Sequence, residues 1–480
     1  MAAERLVGTT TRTLHGAEVT LPDDALDQLR LQLGGSVSSG GRADAPETFN
    51  AMHQGRPGLS VTCRTTADVV AAVNFARERD LLVAVRGGGH SIAGFSAVEG
   101  SMLIDLGSMR GVHVDPETRL ARVQGGARWA DLDREAQAFG LATPGGVVSD
   151  TGVAGLALGG GYGWLRRAFG LSCDNVIAAQ VVCADGTVRS ASADANPDLF
   201  WAIRGGGGNF GIVTSLTFRL HRLGPLVPFA GVFYPLSEAR DILARWRAYV
   251  ASAPREVTSN AVAFTFPSPA HMPEVLHRAP VLVIGGLHAG DVDTGMTVLQ
   301  PLRELGTPLF DVSGPMPFVA VQSSFDPMYP RNTYQSYWKS LYLDSLGDDA
   351  IELLARTAAA RPSPFTMLSV LHLGGAIAEI PPEATAFAER SASFLVSIDG
   401  NWENAADNAA NIAWVRRTRA ALAKLGNGSV YLNFDGRADE LPAAGVDTAF
   451  GRNLARLTRI KTAMDPKNLF RLNNNISPSP

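Results

Sequence analysis

The chain has 480 residues, 46% hydrophobic and 18% charged, with a formal net charge of −4; this length gives a prior of about three domain-sized units around ample buried core, and the balance excludes a disordered chain. No long basic run is present, so nucleic acid is not expected as a partner, and the three cysteines, Cys63, Cys173 and Cys183, make neither a disulfide framework nor a zinc spacing. No apolar run reaches membrane-spanning length and Met1 to Thr13 lacks a signal-like apolar core, so a cytoplasmic setting away from membranes is expected.

Residues 59–223 read as short β-branched runs alternating with helices. Thr65 to Asp68 has the form of a capping box, opening a helix with Val69, Val73 and Ala76 on one face. Leu81 to Val85 follows as a buried strand that delivers the chain into Arg86-Gly-Gly-Gly-His90-Ser91. Further strands are expected at Met102–Leu106, Ala121–Gln124, Val176–Cys183 and Val213–Leu220, with Asp185-Gly186 as a hairpin turn. Beyond Pro225 longer helices, at Ser237–Ser252, Asp348–Ala360 and Ala405–Leu425, separate longer strands. Phe394, Val396 and Ile398 alternate with Leu395, Ser397 and Asp399, as in a sheet that backs onto helices and leaves one face for a ligand. Asp465-Pro466 marks the end of a last helix.

The glycines are clustered rather than spread. Gly87, Gly88 and Gly89 follow a strand, where consecutive N–H groups converge into an anion-binding nest, and Arg86 adds charge nearby. A second cluster runs from Gly145-Gly146 through Gly152, Gly155 and Gly159-Gly160-Gly161 to Gly163. Backbone packed on backbone is one explanation; a flat cofactor laid against the main chain fits the density of glycines better. A third cluster contains Gly206-x-Gly208-x-x-Gly211, formally a dinucleotide fingerprint. A β-rich run follows it in place of a helix, and no acidic residue lies about 20 positions on, so a Rossmann NAD site is rejected in favour of a structural turn that touches the cofactor.

Several motifs in order resemble those of berberine-bridge-enzyme-like flavin oxidases of the vanillyl-alcohol-oxidase fold. They are Arg86-Gly-Gly-Gly-His90-Ser91, Met102-Leu-Ile-Asp105-Leu, Gly152-Val-Ala-Gly-Leu-Ala-Leu-Gly-Gly-Gly161, Asp198 through Gly211, Tyr431-Leu-Asn433, and Ile460-Lys461 through Asn475-Ile476. The likeness extends to bacterial secondary-metabolism members, flavin oxygenases of polyketide pathways among them. It implies an α+β fold: a PCMH-type FAD-binding domain of two α/β subdomains over residues 1–225, a substrate domain with an antiparallel sheet backed by helices over 226–425, and a segment, 426–480, that returns to the FAD domain. It implies FAD held by a single covalent bond from His90 to the flavin 8-methyl group, with no cysteinyl link, because Val148 stands where many relatives carry a cysteine. Ser91, Gly125, Gly145, Gly146, Gly152, Gly155, Gly160, Gly161, Gly211, Val213 and Asn433 are then cofactor contacts beside the residues of the first loop. Thr151 occupies the position that governs oxygen access; being small, it favours an oxidase.

For proton transfer the resemblance offers Tyr431 and Tyr162, whose phenols need a depressed pKa to act as bases. Relatives often carry Glu or Gln where Ser397 stands, so Asp399, two residues on and on the same face, is a substitute, and His372 is a further candidate. The expected reaction is two-electron oxidation of a small or medium organic molecule with O2 as acceptor; a flavin oxygenase and a flavin dehydrogenase with another acceptor are the alternatives. No metal site is expected, and the protein is expected to be a monomer or homodimer.

Overall fold

A computed structural model describes residues 8–39, 47–266, 273–436 and 443–479. The capping box forms as expected: Thr65 accepts from the Asp68 N–H, the Asp68 carboxylate accepts in return, and the helix Thr66–Glu78 begins there. Val69, Val73 and Ala76 are fully buried on its inner face, against a four-stranded sheet. That sheet orders Ser36–Ser39, Leu59–Thr62, Met102–Asp105 and Val83–Arg86, with the last three strands mutually parallel. The chain leaves the end of Val83–Arg86 directly into the Gly87–Ser91 loop.

A second sheet has five antiparallel strands in the order Val188–Ser192, Val176–Val182, Ile212–Arg219, Leu120–Gln124, Val112–Asp115. The Asp185-Gly186 hairpin closes with Cys183 N–H donating to the Thr187 carbonyl at 2.9 Å, and Gly186 takes φ 80°, a conformation that favours glycine. The third glycine cluster forms one 3₁₀ turn, Gly207–Phe210, and passes straight into the strand Ile212–Arg219. No helix starts there, so the strand–turn–helix context of a Rossmann site is missing.

The third large sheet has eight antiparallel strands drawn from residues 226–402. One end of it runs Val257–Thr265, Met367–His372, Phe394–Trp402 and, at the edge, Gln335–Leu343. Helices Ala239–Val250, Asp348–Ala359 and Asn408–Leu422 cover one face, burying Trp246, Leu354 and Val415 against Leu368, Val370, Phe394, Val396 and Ile398. Truncating a core aromatic such as Trp246 to Ala costs about 3–5 kcal/mol. The opposite face carries Leu395, Ser397 and Asp399, as the alternation predicts.

Tyr431 precedes a 3₁₀ turn, Leu432–Phe434, and lies in no strand. The turn is pinned by Asn433, whose amide donates to the Leu156 carbonyl at 3.1 Å and to the Tyr431 hydroxyl at 2.9 Å.

Candidate active site

The glycine loops and the uncovered face of the large sheet enclose one continuous cavity. Its first wall is made by Gly87–Ser91, Gly125, Val148, Thr151-Gly152, Gly155, Gly205–Asn209, Gly211, Val213, Asn433 and Asn473-Asn474; its second by Asn260, Val262, Tyr329, Trp338, Ser369, Leu371, Ser397 and Asp399.

His90 sits on the first wall. Its ring stacks on Phe49 with centroids 3.9 Å apart, and Phe49 N–H donates to the Gly89 carbonyl at 2.9 Å, so ring and loop are fixed together. Burial, then the Arg331 guanidinium, pushes the imidazole pKa down to about 3, so it is neutral at ordinary pH. Arg331 is itself tied down, donating to the Gly88 carbonyl at 2.6 Å and the Asp150 carbonyl at 3.1 Å, while Arg128 and Arg331 share the Asp150 carboxylate. The His90 Nε2 is buried with no hydrogen-bond partner among the described residues. An orphaned buried nitrogen is costly unless a bound group uses it. Asn473 and Asn474 on the same wall likewise bury side-chain carbonyl oxygens without partners among the described residues.

The glycines divide into two sets. A Cβ on Gly155 or Gly208 would meet no protein atom within 4 Å, so these positions open on the cavity. By contrast, a Cβ on Gly88 would come within 2.4 Å of Gly152 Cα, so the two loops lie backbone on backbone. Gly145, Gly146, Gly160 and Gly161, expected at the cofactor, lie off the cavity wall. Gly145 is filled by Trp129, Gly146 by Leu156, Gly160 by Phe387 and Gly161 by Ser172, and the last two also hold φ of 115° and 93°. Protein packing and left-handed backbone account for them. Arg86 is also off the wall: its guanidinium turns to Asp105, with Nη1 to Oδ1 at 3.0 Å. The third glycine turn is held by Lys461, which donates to the carbonyls of Asn209 and Phe470 and to Asp465 at 2.7 Å. These open glycines and orphaned polar atoms fit a large, flat ligand with a polar tail.

On the second wall, Asp399 is 4% exposed. The Tyr329 hydroxyl donates to its Oδ2 at 2.7 Å and Ser397 donates to its Oδ1. Burial outweighs both bonds and pushes the carboxyl up to about 6. Tyr329 also reaches Phe49, ring to ring at 6.4 Å, so a contact path runs from Asp399 through Tyr329 and Phe49 to His90.

The other proton-transfer candidates fare differently. Tyr162 touches the cavity, but its hydroxyl pairs with the Tyr342 hydroxyl at 3.2 Å, and burial drives its pKa up. Tyr431 lies behind the wall, its hydroxyl accepting from the Gly161 N–H at 3.0 Å, and burial raises its pKa too. His372 faces the wrong way. Met367, Ser369 and Leu371 alternate with Leu368, Val370 and His372, and only Ser369 and Leu371 of this strand reach the cavity. The His372 Nε2 meets Arg167 at 3.1 Å, and burial followed by the two neighbouring arginines pushes it down to about 2. Cys173 is buried away from the cavity, as are the other two cysteines, while Val148 lines it.

Sequence reading missed Tyr329, Arg331, Asp150 and Asn260. Tyr329 and Arg331 carry no local signature, since their partners Asp399 and Gly88 are 70 and 243 positions away. Asn260 carries no local signature either: it is the last of three consecutive polar residues, Thr258-Ser259-Asn260, near the start of its strand.

A family profile described as "FAD binding domain" matches residues 57–192, and one described as "Berberine and berberine like" matches 430–477. The chain is 30% identical over 443 residues to (R)-6-hydroxynicotine oxidase of Paenarthrobacter nicotinovorans, covering 90% of this chain and 93% of that protein. It is 30% identical over 485 residues to a xylooligosaccharide oxidase of Thermothelomyces thermophilus, covering 93% and 92%. The crystal structure of 6-hydroxy-D-nicotine oxidase from Arthrobacter nicotinovorans superposes with a TM-score of 0.82 at 27% identity, over 94% of this chain and 99% of that one. Those full-length matches, and a cavity walled on one side by bare backbone around a histidine, make this chain a member of the berberine-bridge-enzyme-like FAD-linked oxidoreductases.

Proposed function

We propose that the protein is an oxidase that holds FAD by a single covalent link to His90 and oxidises a small or medium organic alcohol, phenol or amine, with O2 as acceptor and H2O2 as product. FAD, when bound, supplies the hydride acceptor and passes the electron pair to O2. The observation that carries the reading is the buried His90 Nε2, neutral and without a partner among the described residues on the cavity wall. Neutrality leaves a lone pair on the imidazole for the link. Arg331 and Arg128 keep that neutrality by opposing a second positive charge. Asn473 and Asn474 offer carbonyl oxygens to the polar groups of the cofactor, and Gly155 and Gly208 leave room for its flat parts. No cysteine lines the cavity among the described residues, in keeping with one link rather than two.

Asp399 is the proposed base. It takes the proton of the substrate O–H or N–H as the adjoining C–H gives up its hydride. With a pKa near 6 it is mostly ionised at neutral pH yet still basic enough to accept. Ser397 and Tyr329 hold its two oxygens in place. Thr151, small and on the wall, leaves space for O2 and supports an oxidase over a dehydrogenase. In this reading residues 1–225 with 426–480 carry the cofactor side and 226–425 the substrate side.

The test is acid denaturation of the purified protein. Yellow flavin is expected to stay on the chain, and His90→Ala is expected to release it into the supernatant. Colourless wild-type precipitate with free flavin in solution overturns the covalent reading.

A further inference from the structure

Arg166 is fully buried, and no carboxylate pairs with it among the described residues. Its guanidinium donates to the carbonyls of His372 at 2.9 Å, Gly163 at 3.0 Å and Ser259 at 3.1 Å, and to one side chain, the Asn260 Oδ1, at 2.5 Å. Burying a guanidinium with no opposite charge is expensive, and such groups persist where they do something that an apolar residue cannot. Arg167 lies beside it, so the positive charge at this spot is reinforced rather than neutralised. Burial and that neighbour lower the Arg166 pKa to about 9, which leaves it charged at neutral pH.

One consequence is a fixed amide. A guanidinium has only donors, so the Asn260 oxygen must face it and the NH2 must face away. Asn260 is 4% exposed and lines the cavity, and its NH2 group has no acceptor among the described residues. The second consequence is position. Asn260 pairs with Leu371, and Leu371 with Leu395, four residues from Asp399 on the same strand. Two strand spacings across and four residues along put the two backbones about 16 Å apart. Between them the same face offers Val262, Leu371 and Ser369. The sheet therefore presents an acceptor, Asp399, at one end, and a donor backed by positive charge at the other.

We infer that Asn260, oriented by Arg166, donates to a carbonyl or other hydrogen-bond acceptor at the far end of the substrate, so that the cavity selects alcohols or amines of two-ring length that carry such an acceptor. This rests on the reading of Asp399 as the end where oxidation occurs. Asn260 touches substrate; Arg166 is a positioning residue acting through it.

The probes are biphenylmethanol and its analogue with a para acetyl group on the distant ring. Calorimetry of each with the purified protein measures affinity without requiring turnover or flavin, so a protein that proves colourless sinks the covalent reading but leaves this test intact. The acetyl probe is expected to bind about tenfold more tightly, as a neutral hydrogen bond inside a dry cavity warrants. Asn260→Asp keeps the shape and replaces the donor by an acceptor. It is expected to abolish the preference and to raise the Tm, because Arg166 gains a carboxylate. A residue with only a structural role would leave the preference alone. Asn260→Gln, which keeps the donor, is expected to restore part of the preference. Equal binding of the two probes by the wild type, no binding of either, or a preference that survives Asn260→Asp overturns the inference. So does an Asn260→Asp protein whose flavin absorbance shifts without ligand, since the amide would then serve the cofactor.

Discussion

The two walls of the cavity are built by opposite means. The first is almost bare main chain: glycines that admit a flat ring and a histidine clamped between Phe49 and its own loop, with Arg331 behind them anchored on loop carbonyls. The second is all side chains, set two residues apart on neighbouring strands, with Ser369 opposite Ser397 and Asp399 opposite Met367. Backbone recognises shape and cannot be exchanged residue by residue. Side chains on a rigid sheet can, without disturbing the fold beneath. In the proposed reading, the loops then hold the cofactor and the sheet sets the choice of substrate.

The largest effects should therefore come from adding bulk to the first wall, and they should be of two kinds. Gly88→Ala drives a Cβ to within 2.4 Å of Gly152. Two backbones must then part, costing about 3 kcal/mol or more, and both thermal stability and flavin content should collapse. Gly155→Leu points into open cavity and meets no protein at its Cβ. Within the helix Val153–Leu158 it exchanges the poorest non-proline helix former for a good one, a gain of up to about 1 kcal/mol. It should yield a folded, colourless protein with an unchanged or raised Tm. If Gly155→Leu is purified yellow, the wall does not receive the ring and the contrast between the walls fails.

The next effect belongs to the second wall alone. Asp399→Asn should lower the rate of flavin reduction by about 10²–10⁴-fold with flavin content intact, as stopped-flow absorbance will show. Burial lifts the carboxyl to about 6, so below that pH it already carries a proton and is too weak a base to take one from the substrate. The wild-type rate should accordingly rise with pH through about 6 and level off above it, and the rising limb should be absent from the Asn variant. A variant that keeps both rate and limb removes Asp399 from the chemistry.

Local grammar was legible in the sequence. The Thr65–Asp68 box, the Gly87–His90 loop leaving a strand and the alternation of Phe394 to Asp399 each depend on neighbours within a few positions, so residue order suffices. Strand parity puts Asp399 on the cavity face, as the alternation implies, and neglect of the same parity misplaced His372, which alternates away from the cavity beside Leu371. The glycine clusters were over-read, because two pressures produce the same letter. Gly155 makes room for a ligand, whereas Gly160 makes room for Phe387 and satisfies a left-handed turn. Tyr162 and Tyr431 were over-read because a phenol near a cavity says nothing of what buries it. Tyr329 and Asn260 were invisible as site residues because distant segments meet there only once the large sheet has closed.

The smallest effect is the sharpest probe of how the second wall is tuned. Tyr329→Phe keeps the ring contacts with Trp338 at 5.4 Å and Phe49 at 6.4 Å, and deletes only the hydroxyl that donates to Asp399 at 2.7 Å. That bond favours the ionised carboxylate, so losing it raises the carboxyl pKa further. A charge-assisted bond partly replaced by water corresponds to roughly one pKa unit. The rising limb should therefore move to higher pH by about that amount, while the plateau rate changes less than about threefold. Near neutral pH the variant should turn over about half as fast as on its own plateau, and at higher pH it should approach the wild type. A limb that stays put means that Ser397 alone sets the carboxyl. A limb that moves to lower pH means that burial governs the carboxyl and is relieved by water entering beside the new Phe. The second wall is then tuned by exclusion of solvent rather than by its hydroxyls.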